Sequence, residues 1–217
     1  IKKVVSLVKK ELLLEIKQQS GFSGVLIYAL SSIYICYLVF RQSVEPQVWN
    51  ALLWVIILFA ATNAIARSFL SESKGKQLFF YSLLDPRTVI ISKSIYNFII
   101  LSIITSIILI VFITLLGNPV ADFNSFLAGL ILGVSAISTI LTLVSALASK
   151  AENNSALMAI LGFPLIIPVL LTVIKYSRNA IDGLDSAVNQ PYMIILIALN
   201  LLIFALSFLL FPYLWRD

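Results

Sequence analysis

With 217 residues, 60% of them apolar and 12% charged, and a mean hydropathy of +1.04, the chain departs from the soluble balance of about a quarter charged residues. It predicts one compact all-α transmembrane domain over 1–217, with no separate soluble unit. The absence of histidine removes the commonest general base, metal ligand and haem axial ligand. The single cysteine, Cys36, excludes an intrachain disulfide and a thiolate cluster. A net charge of +5 is distributed as expected for membrane orientation and does not point to nucleic acid.

Residues 1–20 read as a basic amphipathic helix. Ile1, Val4, Val5, Val8, Leu12 and Ile16 fall on one helical stripe, and Lys3, Lys10 and Lys17 fall mostly off it. Such a helix lies in the plane of the membrane interface, in contact with lipid. Gly21 and Gly24 then predict a break and a sharp turn into the bilayer. Six apolar runs follow, at about 22–40, 48–66, 94–116, 124–148, 155–174 and 191–212. Each approaches the ~20 residues needed to cross the hydrocarbon. Backbone amides cannot go unpaired in lipid, so all six are expected to be helices.

Between the second and third runs lies the largest internal polar stretch, Arg67 to Lys93, with five of the fifteen basic residues. Within it, Leu78-Phe79-Phe80-Tyr81-Ser82-Leu83-Leu84 is a compact apolar segment closed by Asp85-Pro86. The residue before a proline avoids the helical region, so a short helix is expected from about Ser73 to near Leu84. It is too short to span, and reads either as an ordinary basic loop or as a docking element for a soluble partner.

The spans themselves contain no persuasive ionisable residue, which argues against proton-coupled carriers and charged pores. They do contain Thr62, Asn63, Asn97 and Asn200, and a hydroxyl-rich fourth run with Ser135, Ser138, Thr139, Thr142 and Ser145. These groups either bond helix to helix or line a path, Asn97 and Asn200 being the candidates for the latter. Gly129 and Gly133 form a GxxxG pair that predicts a close-packed helix face. In the fifth run, Pro164 and Pro168 stand four residues apart and predict a kink or opening, a candidate gate.

Lys and Arg counts set the orientation. Lys2, Lys3, Lys9, Lys10, Lys17, Arg67, Lys74, Lys76, Arg87, Lys93, Lys150 and Arg216 lie on one side, against Arg41, Lys175 and Arg178 on the other. This predicts that both termini and the 67–93 loop are cytoplasmic. Trp49, Tyr176 and Tyr192 on the outer side, with Tyr213 and Trp215 on the inner, are expected to form aromatic belts, and 175–189 to lie as a loop along the outer surface.

Catalytic signatures are lacking. A phosphate-binding GxxxxGK ending at Gly75-Lys76 would need glycine at position 70, which is Leu70, and Ser or Thr at 77, which is Gln77. Any energy source therefore belongs to another subunit. The order of an amphipathic helix, six spans and a basic loop with Glu72, Gly75, Gln77-Leu78 and Pro86 resembles the permease subunits of type-2 ABC exporters. Leu12-Leu13-Leu14-Glu15-Ile16-Lys17 and Pro164-Leu165-x-x-Pro168-Val169-Leu170 narrow this to the haem exporter protein B (CcmB) family of cytochrome c maturation.

The resemblance implies a multi-pass permease of the bacterial inner membrane, itself not an enzyme. An ABC ATPase subunit (CcmA-like) would use ATP, CcmC- and CcmD-like membrane partners would sit alongside, and two permease copies would assemble per complex. Haem would be the cargo and not a resident cofactor, and no metal site is implied. Glu72, Gly75, Gln77, Leu78, Leu83, Leu84 and Pro86 would form the coupling helix. Lys76 and the Asp85-Pro86 pair depart from the family pattern. Alternatives are an exporter permease for a drug, lipid or glycan, and a membrane assembly factor that needs no ATPase.

Overall fold

A computed structural model describes residues 2–18, 20–40, 44–65, 85–149 and 154–216. Among these, the regular structure is helical throughout: α1 (Lys2–Gln18), α2 (Ser20–Phe40), α3 (Pro46–Ile65), α4 (Pro86–Leu116), α5 (Phe123–Ala148), α6 (Asn154–Ile181) and α7 (Ser186–Arg216). Helices α2 to α7 are each long and apolar enough to cross a membrane. The expected short helix between the second and third spans, with Glu72, Gly75, Gln77, Leu78, Leu83 and Leu84, lies outside the described residues.

Several helices run further than hydropathy alone suggests. At 1.5 Å per residue, the 31 residues of α4 extend about 46 Å, more than the ~30 Å of hydrocarbon. Pro86 explains where α4 starts: it occupies the first turn, where its missing N–H costs nothing and its fixed φ suits the helix. Gly117 ends the helix at φ 83°, with its N–H donated to Ile113 O at 3.0 Å. Helix α5 begins at Asp122, whose carboxylate accepts from Ser125 N at 3.1 Å. A bond from the Ser125 hydroxyl, and then this backbone one, hold the Asp122 carboxyl below its ordinary value.

Two expectations at the ends of spans are corrected. Gly21 and Gly24 do not break a helix. Both lie in the first turns of α2, and α1 stops just before it at Gln18. The segment 175–189 is not an extended surface loop, because α6 continues to Ile181 and α7 resumes at Ser186. Lys175 and Arg178 remain exposed on the helix, and an i,i+4 ion pair from Arg178 Nε to Asp182 Oδ2 (3.6 Å) supports its last turn. Gly183, at φ 67°, makes the turn. The preceding hairpin is stitched to this end by Asp122 N→Ala180 O at 2.9 Å and Ala121 N→Ile181 O at 3.3 Å.

Helix α5 is the centre of the bundle, packing on α4, α6, α7 and α3. Its glycine pair lies on the close-packed face that GxxxG predicts, the one against α6, and there it receives side chains. A methyl group at Gly129 would stand 2.4 Å from the Tyr176 ring, and one at Gly133 would stand 2.7 Å from Trp54 and 2.8 Å from Val173. The glycines are sockets for side chains of α3 and α6. Consequently Trp49 and Tyr176 are core residues and not a lipid-facing belt: both are buried, with Trp49 edge-on to Phe112 at 5.1 Å. Tyr192 is half-buried against the same core. By contrast, α2 buries only Val25, Ala29 and Ile33 among the described residues, while Phe22, Leu26, Cys36, Tyr37 and Phe40 pack half-buried against the core.

Candidate functional site

The first turns of α4 are braced from two directions. Arg87 places its guanidinium over the Phe208 ring of α7, 4.8 Å from the centroid. Behind it, Val89 and Ile90 pack with Ala146 of α5 and Phe211 of α7 in a small apolar cluster. About two turns further on, Tyr96 donates its hydroxyl to Glu15 Oε2 of α1 at 3.0 Å. Lys93 is only 5% exposed between these contacts. Lys93, expected at the end of the 67–93 loop, instead sits two turns inside α4. With 31 residues α4 is longer than the hydrocarbon requires, and its first two turns are covered by protein, with Val89, Ile90 and Lys93 buried.

The polar groups of the spans divide between ties from helix to helix and bonds within one helix. Asn97 of α4 donates to Thr142 Oγ1 of α5 at 2.9 Å, and that hydroxyl donates on to Ser138 O at 2.6 Å. Asn200 of α7 donates to Leu132 O of α5 at 3.1 Å and to Leu196 O of its own helix at 2.8 Å. Thr62 and Asn63 both donate to Phe59 O within α3. Ser138, Thr142 and Ser145 are fully buried along α5. The hydroxyls of Thr105 and Ser138 are buried without a hydrogen-bond partner among the described residues.

A further node joins α3 to α6 through three side chains that hydropathy does not single out. Asn50 of α3 donates to Ile174 O of α6 at 2.9 Å, Ser177 donates to Asn50 Oδ1 at 2.8 Å, and Trp54 Nε1 donates to Ser177 Oγ at 3.1 Å. The available signal was a lone amide one turn from a tryptophan inside an apolar run, Trp49-Asn50-Ala51-Leu52-Leu53-Trp54.

Pro164 and Pro168 lie inside a continuous α6, with no break in the helix, and both are exposed. Their missing N–H groups leave the carbonyls of Ile160 and Pro164 without their helical donors, along one side. Thr172 donates its hydroxyl to Pro168 O at 2.8 Å just beyond them. Among the described residues, no group of three or more His, Cys, Asp or Glu could hold a metal ion.

A model of one protein family, described as CcmB protein, matches residues 2–213, nearly the whole chain. The chain belongs to the CcmB family. A search of the curated proteins finds no match. As a CcmB-family chain it is a multi-pass membrane permease subunit of cytochrome c biogenesis, a component of a transporter. Of the seven residues that the resemblance assigns to the coupling helix of CcmB, only Pro86 is described, as the first residue of α4.

Proposed function

We propose that this chain is the membrane subunit through which ATP hydrolysis on a separate ABC ATPase drives a step of haem delivery for cytochrome c maturation. The observation that carries this reading is the CcmB family match over residues 2–213. In it, Glu72, Gly75, Gln77, Leu78, Leu83, Leu84 and Pro86 receive the ATPase at the cytoplasmic face of the bacterial inner membrane. Two permease copies act together with CcmC- and CcmD-like partners, and haem is cargo.

The bracing of α4 gives this reading a mechanical form. A displacement of the segment before Pro86 enters α4 at its first turn. The Arg87–Phe208 contact passes it to α7 and the Tyr96–Glu15 bond passes it to α1. Asn97 then couples α4 to the central helix α5 through Thr142. Pro164 and Pro168 supply compliance in α6, where two backbone hydrogen bonds are lacking.

The test is a covalent haem stain of c-type cytochromes in cells lacking the gene, with and without a restoring copy. Loss of the stain with recovery by the copy supports the reading. Unchanged staining defeats it and favours export of a different cargo, such as a drug, lipid or glycan. Coupling is tested separately with Leu83→Asp and Leu84→Asp, which should abolish co-purification with the ATPase while the spans stay folded.

A further inference from the structure

Charge on α1 is segregated by face. Glu11 and Glu15 are half-buried, Glu15 holding the Tyr96 hydroxyl and Glu11 pairing with Lys10 at 3.5 Å. Lys2, Lys3 and Lys9 are exposed, and none has a carboxylate partner among the described residues. The exposed arc is not purely polar either. Val5 (58% exposed) and Leu13 (57%) lie on it one helical turn before and after Lys9. The helix is also tethered close to the membrane boundary, because α1 ends at Gln18 and the first span begins at Phe22.

We infer that this face of α1 binds anionic phospholipid headgroups. Three uncompensated lysines supply the charge complementarity, and Val5 and Leu13 reach the acyl boundary while the lysine stems extend to the phosphates. With the half-buried carboxylates turned from this arc, the exposed charges of α1 are lysines alone among the described residues. The same Glu15–Tyr96 bond ties lipid occupancy to the helix that follows the basic loop. The inference concerns the lipid around the subunit and does not depend on the cargo.

The experiment uses the full chain in lipid nanodiscs, with Cys36→Ser and an environment-sensitive fluorophore on Ser6→Cys, an exposed position of the same arc. Discs of phosphatidylcholine are compared with discs in which part of the lipid is phosphatidylglycerol. The probe should shift to the blue in the anionic discs, and salt should reverse the shift, since the attraction is confined to a Debye length of about 8 Å at physiological ionic strength. Each lysine removed should weaken headgroup affinity about fivefold. Lys2→Gln, Lys3→Gln and Lys9→Gln together should therefore abolish the shift. Lys10→Gln, which removes a cation already paired with Glu11, should keep it. Equal emission in both discs would overturn the inference, as would a shift that survives the triple substitution. A shift seen only on adding an ATP-binding subunit would also overturn it, by assigning the face to a protein surface.

Discussion

Trp54, Asn50 and Ser177 illustrate how a few polar atoms set the geometry of an oily bundle. Ser177 accepts the indole N–H, and its single hydroxyl proton lies between the Asn50 amide oxygen (2.8 Å) and Val173 O of its own helix (2.7 Å), so it serves both α3 groups from one position. Interhelical hydrogen bonds in membranes average about 0.6 kcal/mol, but a buried group left unpaired costs about 1–3 kcal/mol. Ser177→Ala orphans both partners and should destabilise the protein by about 2 kcal/mol, read as a lower midpoint in detergent unfolding. Asn50→Leu in the same background should then cost less than it does alone, because the two share one network. The glycines give a sharper contrast. Gly129→Ala would drive a methyl group into Tyr176 and should cost about 1–3 kcal/mol. Gly24→Ala has nothing within 4 Å to meet and should be neutral or stabilising by up to about 1 kcal/mol through helix propensity. Equal effects at the two sites in the same unfolding assay would refute the socket assignment.

At the scale of elements, the six spans were legible because runs of Ile, Leu, Val and Phe are long enough for only one structure in lipid. Their ends were not, since hydropathy registers the oily part of a helix and not the turns that project beyond it. Helix α4 starts eight residues before the oily run, at Pro86, and carries Lys93 inside it. Helix α6 passes through Lys175 and Arg178 to Ile181. The candidate gate was legible as two prolines but not in its form. A helix can accommodate proline without breaking when the affected carbonyls share one side, and here that side is turned away from the bundle. Pro164→Ala with Pro168→Ala restores two backbone hydrogen bonds and should stiffen α6. The expected outcome is a permease that assembles normally, by gel filtration of the purified complex, but supports several-fold less cytochrome c maturation. Full maturation with normal assembly would return the prolines to a purely structural role.

For the whole molecule, burial reassigns much of what looked like membrane-facing signal. Trp49 and Tyr176 are core residues packed with Phe112 and beneath Gly129, so they say nothing about which end of the bundle meets which solvent. Orientation then rests on Lys and Arg alone, and the basic residues cluster at the α1 end. Exposed Lys2, Lys3, Lys9 and Arg87 lie there, and only Lys175 and Arg178 face solvent at the other end among the described residues. The positive-inside rule therefore predicts that α1 is cytoplasmic and that the α6–α7 turn faces the opposite compartment. Two exposed serines serve as reporters in a Cys36→Ser background: Ser6 on α1 and Ser186 at the start of α7. A membrane-impermeant maleimide applied to cells with a permeabilised outer envelope should label Ser186→Cys directly. It should reach Ser6→Cys only after the inner membrane is opened. The reverse pattern would invert the subunit and place α1, with the segment before Pro86, beyond the reach of any cytoplasmic ATPase. The coupling proposal would then fail with it, because a helix braced to receive force at Pro86 has no use on a face without nucleotide.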